Sequence, residues 1–91
     1  MFDIITMVNN GHFLSDKRFS RLSTKEKRDY AVAIANTGYG IDISDTKFSL
    51  LSQEGKEEYF YIKKMIRLFS NNKTALEKFQ ALMREKYKLN V

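Results

Sequence analysis

No cysteine, proline or tryptophan occurs in the 91 residues, and there are only one histidine and four glycines. Without cysteine, neither a disulfide nor a thiolate zinc site can support the core, and a reducing, cytoplasmic setting is expected. Without proline, no helix is broken at a fixed point and no proline-rich linker divides the chain. His12 alone cannot supply a nucleophile's base or a histidine-rich metal site, and no serine stands in a G-x-S-x-G elbow. Gly38-Tyr39-Gly40 lacks both the G-K-S/T of a P-loop and the third glycine of a dinucleotide fingerprint, and reads as a helix stop and turn. Among Glu54, Glu57 and Glu58, the densest carboxylates, Glu54 and Glu58 can share a helix face at i, i+4, but without a third ligand or convergent base they read as a solvated acidic face or a docking spot for Arg or Lys. These shortages exclude most catalysis, so no enzyme, cofactor or metal is expected. Long apolar runs are missing too. Met1 to Val8 is short, lacks a basic start and meets Asn9-Asn10-Gly11, which fits neither a membrane span nor a secretory signal.

What remains is ample for folding. Hydrophobic residues make up 43% and aromatics 13%, enough for a core and too many for a disordered tail. The length suits one domain over 1–91, near the lower size at which a core needs no staple. The periodicity predicts an all-α fold, a single-domain bundle of four to five helices without disulfides, with a possible short extended segment at 41–43.

The strongest stripe lies in 57–70, where Tyr59, Ile62, Ile66 and Phe69 recur at helical spacing and Tyr61, Met65 and Leu68 widen the face. This predicts a helix at the middle of the core, with Lys63, Lys64 and Arg67 on its far side. Phe2, Ile5 and Val8 would face inward from a short first helix ended by Asn10-Gly11, and Ser15-Asp16 would cap a further turn. Ser23-Thr24-Lys25-Glu26 is a capping box that opens a helix to about Asn36, ended by Gly38. Its alanines at 31, 33 and 35 leave room for a close helical neighbour. Ser44 caps another helix with Asp45 in its first turn. One phase continues from Phe48 to Phe69, so a single helix over 45–70 competes with a break near Ser52 to Gly55.

An internal echo favours the break. Phe19-Ser20-Arg21-Leu22-Ser23 with Lys27 and Tyr30 returns 29 residues later as Phe48-Ser49-Leu50-Leu51-Ser52 with Lys56 and Tyr59. Two copies do not make a solenoid, and the simpler account is a pair of apolar lead-ins to serine-capped helices. A last helix is expected over 73–88, with Ala75, Leu76, Phe79, Leu82, Met83 and Tyr87 inward.

The charge of +5 is segregated. Ser15 to Arg28 sums to +4, from Lys17, Arg18, Arg21, Lys25, Lys27 and Arg28 against Asp16 and Glu26. The stretch 29–58 is net acidic, and from Tyr59 onward the chain is basic again. This pattern points to a nucleic-acid-associated regulator that contacts phosphate through those six cations with Lys63, Lys64 and Arg67. The alternative is an inhibitor or adaptor, of the kind phages and mobile elements encode, that binds a larger host protein or nucleoprotein machine through Phe2, Ile5, Phe13 and Tyr39. Tyr39 could also stack on a base. Residues 33–51 can be forced into a helix-turn-helix, but its second helix offers only Lys47 as a base reader. Surplus aromatics on the last two helices make a homo-oligomer a third expectation. No membrane partner is expected.

Overall fold

The computed structural model describes residues 13–38 and 40–87. Five helices form there and no strand: α1 (Asp16–Ser20), α2 (Thr24–Asn36), α3 (Asp45–Ser49), α4 (Gln53–Leu68) and α5 (Lys73–Tyr87). The all-α bundle is as expected. The possible extended segment at 41–43 pairs with nothing in a ladder and is irregular chain. The expected first helix around Phe2 and Ile5 lies outside the described residues.

Local chemistry places every helix start. Ser15, Ser23, Ser44 and Ser52 all hold extended backbone and accept from the N–H three residues on, and at Ser23 the Glu26 carboxylate accepts from the serine N–H in return, at 3.0 Å. Asn72 Oδ1 does the same for Ala75 at the head of α5. Because Ser52 satisfies the Gly55 N–H, the chain breaks there and α3 and α4 are separate helices, despite the continuous apolar phase across them.

The centre of the core is not the helix with the strongest stripe. Residues 29–36 of α2 are buried on every side, whereas α4 buries Gly55, Tyr59 and Ile62 along one edge only. The sequence Ala31-Val32-Ala33-Ile34-Ala35 is apolar all round and slim, so neighbours can close on it from several directions. Tyr61 and Leu68, expected to widen the inner face of α4, are instead 50% and 63% exposed, and Leu82 of α5 is 60% exposed.

α2 and α4 make the most extensive helix pair and run parallel. Thr24, Lys25 and Arg28 lie beside Ser52 and Glu54 at one end, and Ala35 and Gly38 beside Ile66 and Ser70 at the other. α5 returns antiparallel over both. Its Gln80 Nε2 donates to the Asn36 carbonyl at 3.0 Å while Asn36 Nδ2 donates to the Gln80 carbonyl at 3.1 Å, and Tyr87 reaches Arg28. Gly38 leaves α2 at φ +73°, where an added Cβ would stand 3.0 Å from Gln80 Nε2. Gly40 has φ +75° with open space around it. Gly38→Ala should therefore cost about 2 kcal/mol and Gly40→Ala about 1 kcal/mol, the left-handed backbone term alone, as read from urea midpoints.

The echo 29 residues apart is a structural duplication. In the first unit the Leu14 N–H donates to the Tyr30 hydroxyl at 2.9 Å; in the second the Ile43 N–H donates to the Tyr59 hydroxyl at 3.2 Å. Phe19 lies 5.4 Å from Tyr30 at 54°, and Phe48 lies 6.0 Å from Tyr59 at 57°. Ser20 and Ser49 each donate to the carbonyl three residues back. The simpler account, two unrelated lead-ins, does not explain the matching phenol bonds.

Among the described residues, Asp16 makes a polar joint between the units. Asp16 Oδ1 accepts from Ser44 Oγ at 2.8 Å and from Lys47 Nζ at 2.6 Å, and the Lys47 side chain is only 11% exposed. Those hydrogen bonds, Lys47 first, hold the Asp16 carboxyl below its ordinary 3.8. A depressed carboxyl contributes stability above its unfolded value and loses it as pH falls through the folded one. Asp16→Asn is thus expected to lower the urea midpoint at pH 7 and to flatten the loss of stability below about pH 4, measured as midpoint against pH.

Candidate docking face

The nine cations singled out from sequence do not converge. Lys25 Nζ and Arg28 Nη2 both bind Asp29, at 2.8 and 2.9 Å, and line a cavity with Ser52 and Glu54 at the N-terminal end of the α2/α4 pair. Arg28 also lies 5.4 Å over the Tyr87 ring, whose hydroxyl is pushed up by burial and by the neighbouring Glu58 carboxylate. Lys17, Arg18 and Arg21 are exposed on and just after α1, and Lys27 is half-buried. Lys63, Lys64 and Arg67 line a different groove, toward the C-terminal end of α4. Of the expected docking residues, Phe13 is 46% exposed, and Phe2, Ile5 and Tyr39 lie outside the described residues.

The helix-turn-helix arrangement is not formed. Its second helix would be α3, which has five residues, and the ammonium of Lys47, its one base reader, is turned inward onto Asp16. Among the described residues no three His, Cys, Asp or Glu side chains come together to hold a metal ion, and no helix is long and apolar enough to cross a membrane.

The groove on α4 is built by helical register. Tyr59 and Ile62 point to the core, so Lys56, Phe60, Lys64, Arg67 and Leu68 fall on the opposite side. Phe60 is 60% exposed although its ring meets Phe48 at 5.0 Å, and Lys56 Nζ caps Phe48 at 5.7 Å. With Leu68 it makes an apolar surface bordered by Lys64 and Arg67, which have no ion pair among the described residues. Lys63 closes the inner edge, paired with Asp42 and donating to the Ile41 carbonyl at 3.2 Å. The Lys63 ammonium, by hydrogen bond and charge, holds the Asp42 carboxyl below the usual carboxylate range. The groove encloses about 310 Å³.

Phe60 escaped the sequence reading, yet its signal was present. It is the one aromatic in 57–70 that falls on the lysine side of the stripe. Leu68 shares its flank with Tyr61, and the sequence pattern places both inward while the structure leaves both exposed. No family model matches this chain, and neither a curated protein nor a solved structure matches it.

Proposed function

We propose that the protein is a non-catalytic adaptor or inhibitor that holds a larger protein through the outer face of α4. The carrying observation is the pairing, on one rigid helix, of projecting apolar side chains, Phe60 and Leu68, with the cations Lys64 and Arg67, which form no ion pair among the described residues. Interfaces combine an apolar anchor with a charged rim in this way, the anchor supplying affinity and the rim steering the partner in. A phosphate-binding surface needs many reachable cations. Lys25, Arg28 and Lys63 are already engaged by carboxylates, which weakens the polyanion alternative. The exposed Lys17, Arg18 and Arg21 favour a second reading, contact with nucleic acid through α1.

Affinity capture with and without nuclease separates the two. The expected result is stoichiometric retention of one larger protein after nuclease treatment, and its loss with Phe60→Asp/Leu68→Asp. Both side chains are mostly solvent-exposed, so the double variant should keep its helicity and most of its stability. Loss on nuclease treatment, or retention by the double variant, would overturn the docking reading.

A further inference from the structure

The duplication specifies what the bare face of α4 is shaped to receive. In the first unit, Thr24, Arg28, Ala31 and Ala35 share one face of α2, and α4 lies parallel against it. Moving 29 residues along, Gln53, Glu57, Phe60 and Lys64 occupy the same positions of α4. There Ala31, fully buried, is replaced by Phe60, which is exposed, and among the described residues no third unit covers it. The polar joint is left open as well. Asp16 of the first unit accepts from Ser44 and Lys47 of the second, whereas its equivalent, Asp45, is exposed and has no partner among the described residues.

We infer that the partner contributes an acidic amphipathic helix, which takes the place of a third unit and lies parallel to α4 with a hydroxyl or ammonium near its N-terminus for Asp45. This rests on the protein-docking reading above. Charge selects the occupant: Lys56, Lys64 and Arg67 face outward against Glu57, while the Asp42 carboxylate at the groove's inner edge is already matched by Lys63, so the face keeps a net positive charge. Carboxylates flanking a narrow apolar stripe would meet these cations while small side chains pack between Phe60 and Leu68, about 12 Å apart along the axis. A second copy of this chain does not fit. A twofold pairing of α4 faces would set Lys64 and Arg67 against themselves, and α2, the chain's own slim helix, is already buried on every side.

The test is selection from a displayed library of 18-residue helices with randomised surface positions, using the full chain as bait. Enriched helices should carry glutamate or aspartate beside an apolar stripe, and binding of the best one should weaken at least tenfold with Lys64→Glu/Arg67→Glu and with Phe60→Ala. A nitroxide at its N-terminus should broaden amide signals near Asp45 to Glu57 and spare those near Leu68. Enrichment of neutral or basic helices, binding elsewhere, no enrichment, or broadening near Leu68 would each overturn the inference. If capture of the larger protein still depends on Phe60 and Leu68, the docking reading survives such a result. Loss of capture on nuclease treatment would remove both.

Discussion

Phe19→Ala is expected to remove about 3–5 kcal/mol, a large part of the stability available to a domain of this size. Phe19 is fully buried, and its ring braces Tyr30, whose hydroxyl holds the backbone N–H of Leu14. Truncation leaves a cavity that α1, short and anchored by few contacts, cannot fill without giving up that hydrogen bond. Phe48 is the counterpart in the second unit, but it is half-buried and borders exposed Phe60 and the Lys56 ammonium, which can settle into the vacated space. Phe48→Ala should cost about 1–2 kcal/mol. Urea titrations of the two variants followed by circular dichroism would decide the matter, and equal losses would mean that the two units contribute alike to the core.

Ala31→Leu should be nearly as damaging, at about 3 kcal/mol, for the opposite reason. Ala31 has no exposed surface and stands between Arg28 and Ala35 on the face that α4 approaches, so a larger side chain must push the parallel pair apart. The same type of residue is tolerated 29 positions later, where Phe60 projects into solvent. Phe60→Leu should change stability by about 1 kcal/mol or less. Thermal melts of Ala31→Leu and Phe60→Leu measured side by side test whether the two equivalent positions differ because one is covered and the other open. Similar melting shifts would contradict that.

Much of the fold was legible because helix termini are local events. The serines at 15, 23, 44 and 52 each act on an amide three residues away, so their positions alone announce four helix starts, and the capping box at Ser23 forms as its spacing requires. The duplication was visible as identities, but whether it was chance depended on the paired phenol hydrogen bonds, which span 16 residues and exist only after folding. The candidate site was legible in half. Lys63, Lys64 and Arg67, grouped by sequence spacing, line one groove in the structure, while beside them Leu68 carries no such signal of an outward face and Phe60 carries it only in its helical phase. The basic stretch 15–28 reads in sequence as a single edge, although Asp29, just beyond it, engages Lys25 and Arg28.

By itself, then, the sequence determined where most helices begin, since that depends on side chains reaching backbone within one turn, and it favoured a break between α3 and α4 that the Ser52 cap on Gly55 makes real. Tertiary structure alone decided which helix occupies the centre and which apolar side chains stay in water. That outcome is a competition between faces. The slim, uniformly apolar α2 could be enclosed from several directions, and once it was, no other element among the described residues was placed to cover Phe60 and Leu68 on the far side of α4.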